Sequence, residues 1–170
     1  MIYIILLIIL LACLIVASIE IVKENTVYVV EFFGKFSRIM RPGLNLKVPI
    51  IEQIEEKVTL KQQNFTLTHK FHTKNKMVID LSVNLIFSVI SSEEGIRRYT
   101  YVLVNREKTI SATIEDALRV TIGNETEADI LRNKETLTRG IQKELETQLA
   151  EWGIKILSFQ ITSVRSVPTF

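Results

Sequence analysis

The residue types that most often carry catalysis or bind metals are sparse in this chain. It contains two histidines, His69 and His72, and one cysteine, Cys13. On a strand the two imidazoles would point to opposite faces, and no carboxylate cluster lies near them in sequence. The sequence also lacks the G-x-S-x-G, H-E-x-x-H, P-loop and G-x-G-x-x-G motifs. We therefore expect no catalytic residues, no metal site and no cofactor, and carboxylates assembled only by the fold are an alternative that no spacing indicates.

The chain begins with an uncharged apolar run. All 21 basic and 19 acidic side chains of the 170-residue sequence lie at or after Glu20. As a helix, Met1 to Ile19 would rise about 28 Å, close to the hydrocarbon thickness of a bilayer. The run predicts a single-pass N-terminal transmembrane anchor over residues 1–19. Its predicted anchor residues are Ile2, Ile5, Leu6, Ile9, Leu10, Leu14 and Val16.

Two other interpretations of this run remain open. A cleaved secretory signal would use Val16-Ala17-Ser18 as its cleavage site, although the apolar stretch is long and no basic residue precedes it. A lipoprotein-type cleavage at Cys13 is the second, and acylation of Cys13 without cleavage is a related prediction. Basic residues follow the run rather than precede it, so a positive-inside count favours a cytoplasmic domain.

The remaining residues predict an α+β domain. Val27 to Phe33 is rich in β-branched and aromatic residues and predicts a strand, followed by a turn at Arg41-Pro42-Gly43. Short strands are predicted over 44–48 and 54–60. Alternation of apolar and polar residues predicts the longest strand over Met77 to Val89.

Helical periodicity replaces this alternation after Ser92. One helix is predicted through Ile110 and Leu118 to a C-cap at Gly123-Asn124, and Thr126 to Asp129 fits a capping box. An apolar stripe predicts a long helix from Asn133 to Trp152. A last strand over Ile154 to Val164 closes the predicted domain.

Charge is distributed unevenly over this domain. Residues 35–79 carry nine basic and three acidic side chains, and no acidic residue lies between Phe32 and Ile51. Cations near an anionic leaflet each contribute about 1 kcal/mol to binding, and aromatic side chains favour the headgroup level. The predicted membrane-surface contacts are Phe32, Phe33, Lys35, Phe36, Arg38, Arg41, Lys47 and Ile50. The alternative is a solvated basic face whose aromatic side chains lie in the core, and no nucleic-acid-binding motif is present.

Several segments resemble, in order, the SPFH (band 7) domain of stomatins, prohibitins and related membrane proteins. The first carries Phe33-Gly34-Lys35, then Pro42-Gly43-Leu44-Asn45, then Pro49. The second extends from Glu115 through the Trp152-Gly153-Ile154 junction. The similarity covers nearly all of residues 20–165 and is greatest to the stomatin-like branch.

This resemblance implies a non-enzymatic membrane scaffold. Such a protein would form homo- or hetero-oligomers with SPFH proteins, organise lipid microdomains, and modulate a membrane protease or channel. The predicted segments are an anchor over 1–19, an SPFH domain over 20–167, and the start of a truncated or absent C-terminal helical region at 168–170. Since family members usually continue into a coiled coil there, a regulator that binds one protease or channel without assembling is the alternative. A released enzyme is a third.

Overall fold

The computed structural model describes residues 1–167 and divides the chain into two compact units, with the division between Lys61 and Gln62. Helices and strands occur together, so the predicted α+β class is confirmed. The sequence predicts one domain over 20–167, whereas the division into compact units falls within that range. The C-terminal region predicted at 168–170 lies outside the described residues.

The first unit contains a helix followed by strands. They are α1 (Ile2–Ser18), β1 (Ile19–Val22), β2 (Thr26–Phe32), β3 (Lys35–Met40), β4 (Gly43–Leu46) and β5 (Glu52–Thr59). Strands β1 and β4 form an antiparallel pair, and β2 lies between β3 and β5 in a separate antiparallel sheet. The core of the unit consists of Val22, Tyr28, Val30 and Met40, with Ile54 packed against them. The strands predicted over 27–33, 44–48 and 54–60 correspond to β2, β4 and β5 and are confirmed.

Helix α1 contains 17 residues and buries none of them. It ends where Ile19 adopts an extended conformation and pairs with Leu46 of β4. Among residues 1–167, no helix is both long enough and apolar enough to pass through a membrane. The predicted helix is thus present, but the prediction that it spans the bilayer is not supported.

The second unit places helices beside a three-stranded sheet. Its elements are β6 (Gln63–His72), β7 (Val78–Val89), α2 (Glu93–Tyr101), α3 (Arg106–Gly123), α4 (Glu127–Arg132), α5 (Lys134–Ala150) and β8 (Ile154–Val167). Strand β7 lies between β6 and β8, and both pairings are antiparallel. Alternate β7 residues from Ile79 to Val89 are buried, which confirms the predicted period of two.

Two long helices complete the core of the second unit. Helix α3 buries Ile110, Ile114 and Leu118, among others, and α5 buries Leu145 and Leu149. These residues recur at spacings of three and four, so each helix presents one apolar stripe to the core. The predicted helices over 110–123 and 133–152 are confirmed, with α5 starting one residue later and ending two residues earlier.

The predicted capping box is present at the start of α4. The hydroxyl of Thr126 accepts the backbone N–H of Asp129 at 3.3 Å and donates to the Asp129 carboxylate at 2.5 Å. The hydroxyl is the main reason why the pKa of Asp129 lies below its usual value. This reciprocal arrangement satisfies a backbone donor that the first turn of a helix otherwise leaves free.

Candidate membrane-contact surface

Two neighbouring loops of the first unit expose large apolar side chains. Phe32 ends β2 and Phe33 starts the β2–β3 turn, and the β4–β5 connection carries Val48 and Ile50; we call these four residues the apolar tip. The Phe33 N–H donates to the carbonyl of Ile51 at 3.4 Å, so the two loops lie side by side. Phe33 is 74% exposed and Ile50 is 87% exposed. Water-exposed side chains of this size in adjacent loops indicate a contact surface rather than part of the core.

The backbone at the tip holds two of these residues in an unfavourable conformation. Phe33 has φ 49° and Ile50 has φ 73°, both in the left-handed region. This conformation costs a non-glycine residue about 1–2 kcal/mol, and it is especially rare for a β-branched residue such as isoleucine. Since neither side chain is buried, packing against the core does not compensate for this cost. Strain of this kind is concentrated at functional positions.

A second apolar surface lies directly after α1. Ile19 is opposite Leu46 and Ile21 is opposite Leu44 in the β1–β4 pair, so all four share one face of the ribbon. We call this the ribbon face. Each of the four side chains is at least 44% exposed. The Lys47 N–H donates to the carbonyl of Ser18 at 2.8 Å, so the end of α1 is attached to the start of the β4–β5 connection.

The structure places the predicted anchor residues on one exposed helix. Ile2, Ile5, Leu6, Ile9, Leu10, Leu14 and Val16 all lie on α1 and are between 40% and 72% exposed. Cys13 is also exposed on α1. Acylation of this cysteine stays a prediction.

The predicted cationic contacts fall into two groups. Lys35 and Arg41 are exposed, and no ion-pair partner for either is found within residues 1–167. Arg38 and Lys47 instead bind carboxylates of the same unit. Arg38 pairs with Glu52, and the Lys47 Nζ lies 3.6 Å from the Glu20 Oε2. Phe36 is half-buried, so it contributes less to the exposed surface than Phe32 and Phe33.

Glu52 belongs to this surface, although no sequence pattern indicated it. Its Oε1 accepts from the Arg38 Nε at 3.1 Å, and its Oε2 accepts from the Arg38 Nη2 at 2.9 Å and from the Val48 N–H at 2.8 Å. Hydrogen bonding by Arg38 is the main reason why the pKa of this carboxyl lies below its usual value. The side chain is 9% exposed, and its bond to the Val48 N–H fixes one residue of the apolar tip. The sequence does mark Glu52 in one respect, because it is the first acidic residue after the stretch from Phe32 to Ile51, which contains none.

The two histidines belong to the second unit. His69 lies on β6 with its Nδ1 3.7 Å from the Glu115 Oε1, and His72 is exposed at the end of the same strand. In the part of the chain that the structure describes, no three His, Cys, Asp or Glu side chains come together in a group able to hold a metal ion.

The fold and this surface define an α+β protein that keeps a large apolar area outside its cores. Residues 20–170 match the model of the SPFH domain / Band 7 family. The chain belongs to this family, which confirms the resemblance drawn from the Phe33-Gly34-Lys35 and Pro42-Gly43 segments.

The curated relatives include proteins of yeast, bacteria and animals. An uncharacterized protein of Schizosaccharomyces pombe is 28% identical over 148 residues, covering 86% of this chain and 41% of that protein. The modulator of FtsH protease HflK of Escherichia coli K12 is 27% identical over 147 residues, covering 85% of this chain and 34% of the relative. The mitochondrial stomatin-like protein 2 of Homo sapiens is 22% identical over 148 residues, covering 86% and 40%. The chain therefore spans about two fifths or less of the length of these relatives.

Proposed function

We propose that this protein is a membrane-anchored scaffold, which assembles with further SPFH chains and organises lipids and membrane proteins around it. The observation that carries the proposal is the uncovered apolar area of the first unit. It includes all of α1, the ribbon face and the apolar tip. Soluble monomers rarely expose contiguous apolar patches larger than a few hundred square ångströms, so another apolar phase must cover this area.

Helix α1 is the proposed anchor, and it enters the apolar interior of a bilayer. Residues 1–19 include twelve Ile or Leu residues and no charge. At roughly −0.5 kcal/mol each, these side chains favour insertion by about 6 kcal/mol before position is considered. The uniform exposure of α1 supports lipid as its environment, because a protein-bound helix would be expected to be apolar on one face only.

The apolar tip and the two exposed cations are the proposed surface contacts. Phe32, Phe33 and Ile50 enter the headgroup region, while Lys35 and Arg41 bind lipid phosphates. Arg38 and Lys47 are proposed to act indirectly, because their ion pairs hold the loops that carry the contacts.

A second candidate is a regulator that binds one membrane protease without assembling. It is favoured by the similarity to the Escherichia coli relative, which is a modulator of FtsH protease. In both cases the domain binds other molecules and catalyses no reaction of its own.

Membrane retention tests the anchor. Membranes containing the full chain are washed with alkaline carbonate, alongside a variant that combines Leu6→Arg with Leu10→Arg. The control carries Val120→Arg with Leu131→Arg, two exposed apolar positions of the second unit. We expect the wild type and the control to stay with the membrane and the α1 variant to be lost from it. Extraction of the wild type would overturn the proposal.

The mass of the assembly separates the two candidates. Light scattering of the detergent-solubilised full chain should report more than one copy if the protein is a scaffold. A single copy at every concentration would contradict the scaffold and favour the regulator.

A further inference from the structure

Strand β6 forms a long and regular open edge in the second unit. Within residues 1–167 it pairs with β7 alone. The ten pairs from Gln63 with Phe87 to His72 with Val78 run without a register shift. The alternate side chains Asn64, Thr66, Thr68, Lys70 and His72 are exposed. A regular edge strand without proline is a template for a further strand, because its outward N–H and C=O groups have no ladder partner.

The opposite edge of the same sheet is less regular. Strand β8 shifts register against β7 between Ser82 and Val83 and again between Ile86 and Phe87. These shifts leave Thr162 and Leu157 of β8 outside the paired register. Bulges twist an edge and interrupt its hydrogen-bonding pattern, which is how natural sheets discourage pairing. The two edges therefore differ, and β6 is the one suited to accept a strand.

We infer that β6 pairs antiparallel with β6 of a second copy of this chain, across a two-fold axis at Thr68. Side chains directly opposite each other in an antiparallel pair share one face of the sheet. In this register Thr68 is opposite itself, Thr66 is opposite Lys70, and Asn64 is opposite His72. All of these residues lie on the polar, exposed face.

The other face of β6 matches itself in the same register. Phe65 is opposite Phe71 and Leu67 is opposite His69. Aromatic cross-strand pairs stabilise a sheet, each by about 0.2–1 kcal/mol relative to alanine. Polar residues meet polar residues on the exposed face, and on the other face the two phenylalanines meet each other while Leu67 lies against the imidazole ring of His69, so the strand is complementary to its own reversed copy. This self-complementarity identifies the occupant of the edge as a second copy.

The charges of β6 favour the antiparallel arrangement. Its one lysine, Lys70, lies four residues along the strand from the Lys70 of the other copy, or about 14 Å. That separation exceeds the screening length of about 8 Å at physiological salt. A parallel, in-register pair would bring the two lysines side by side, and like charges in adjacent strands are destabilising.

The inferred interface specifies how the proposed scaffold assembles, and in that respect it rests on the proposed function. Pairing of two β6 strands would join two three-stranded sheets into one of six strands. The isologous contact closes on itself, which makes the dimer the unit from which larger assemblies are built.

Charge variants at Thr66 test the interface and its register. Thr66→Lys opposes Lys70 of the other copy, whereas Thr66→Glu attracts it. Each change occurs twice across the two-fold axis. We expect Thr66→Lys to raise the dissociation constant of the detergent-solubilised full-length dimer by about tenfold, from two repelled pairs. Thr66→Glu should retain or tighten the dimer, and Lys70→Glu combined with Thr66→Lys should restore it.

Gln160 provides the matched control. It pairs with Asn84 on one side of β7, and Thr66 pairs with the same Asn84 on the other side. Gln160→Lys and Gln160→Glu therefore place the same charges at the same height of the sheet, on the β8 edge. Both variants should dimerise like the wild type, and unchanged circular dichroism of every variant shows that the fold is intact.

Three results would overturn the inference, and they differ in what they say of the scaffold. If Thr66→Lys leaves the assembly unchanged, the β6 interface is wrong, but the proposed scaffold is not contradicted. If Gln160→Lys dissociates the assembly and Thr66→Lys does not, the interface lies at the β8 edge rather than at β6. A wild type that is monomeric yet retained in carbonate-washed membranes would contradict assembly itself.

Discussion

Arg38 and Glu52, fourteen residues apart, form a doubly hydrogen-bonded ion pair that joins β3 to the start of β5. The same arginine donates to the carbonyl of Leu46, and the same carboxylate accepts the N–H of Val48. The pair therefore holds both ends of the short segment between β4 and β5. That segment carries Ile50, so an ion pair between an exposed arginine and a largely buried carboxylate positions an apolar side chain on the surface.

Glu52→Gln should destabilise the first unit and loosen this segment. The amide cannot form two charge-assisted bonds with Arg38, and a hydrogen bond to a charged group contributes about 2 kcal/mol. We expect the free energy of unfolding to fall by about that amount, and amide hydrogen exchange at residues 47–51 to accelerate. Glu55→Gln is the control, since Glu55 is exposed on the same strand. Equal exchange rates in the two variants would show that Glu52 does not fasten the segment.

The lowered pKa of Glu52 predicts a particular dependence of stability on pH. A carboxyl whose folded pKa lies below its unfolded value stabilises the fold fully above the unfolded value, and the contribution is lost as pH falls through the folded pKa. The usual value is 4.5. Above about pH 5 the wild type should therefore exceed Glu52→Gln in stability by a constant amount. Below pH 4.5 that difference should shrink in urea titrations, and a difference that grows on acidification would contradict the assignment.

Ile50→Asn should stabilise the protein and at the same time weaken its contact with lipid. Asparagine tolerates the left-handed region that Ile50 occupies at φ 73°, so the change should add about 1 kcal/mol to the free energy of unfolding. It also removes the most exposed apolar side chain of the tip. To measure this contact, a fluorophore is attached to the new cysteine of a Lys35→Cys protein that also carries Cys13→Ser. Quenching of the fluorophore by brominated lipids then reports its closeness to the bilayer.

Quenching should fall in the Ile50→Asn protein and stay unchanged in a Val120→Asn protein. Val120 is an exposed apolar residue of α3 in the second unit. If Ile50→Asn stabilises the fold but leaves quenching intact, the tip faces water or protein rather than lipid.

Long periodic segments of this chain were predictable from sequence. The β7 alternation and the α3 and α5 stripes each repeat over many residues, so a single exception does not obscure the period. The capping box at Thr126 was also predictable, because it depends on residues only three positions apart.

Strand β6 and the Glu52 ion pair were missed for physical reasons. The inward row of β6 reads Phe65, Leu67, His69 and Phe71, and the histidine interrupts its apolar character. Glu52 was missed because its function depends on Arg38, which only the antiparallel order β3-β2-β5 and the loop before β5 bring within reach. A sequence shows that Arg38 is a cation, but not whether a carboxylate of the same chain already binds it.

Replacing Lys35 and Arg41 should change the preference for anionic lipid, whereas replacing Arg38 should change the stability of the fold. The sequence alone does not predict this difference. Lys35→Gln with Arg41→Gln should reduce the preference of the tip for anionic lipid by about 2 kcal/mol, leaving stability unchanged. The preference is measured as quenching by brominated phosphatidylserine relative to brominated phosphatidylcholine, and the loss should shrink at high salt. Here the fluorophore is carried on Phe33→Cys in the Cys13→Ser background. Arg38→Gln should instead lower stability. Equal effects of the two changes on stability would contradict this division.

Gly153→Ala should be the most destabilising single-methyl change in the second unit. Gly153 adopts φ +77°, and a β-carbon there would overlap the backbone carbonyl of Gly95 at the start of α2. Its own carbonyl accepts the N–H of Ile90 at 2.8 Å, so the backbone cannot move away without breaking that bond. We expect the free energy of unfolding to fall by about 3 kcal/mol, from the strained conformation and the overlap together.

Gly140→Ala is the matched control, because Gly140 lies exposed within α5 with open space around it. Alanine at this position should raise the free energy of unfolding by about 0.5–1 kcal/mol. Urea unfolding of the detergent-solubilised chain measures both, and a Gly153→Ala protein as stable as the wild type would show that the α5–β8 junction tolerates a different path.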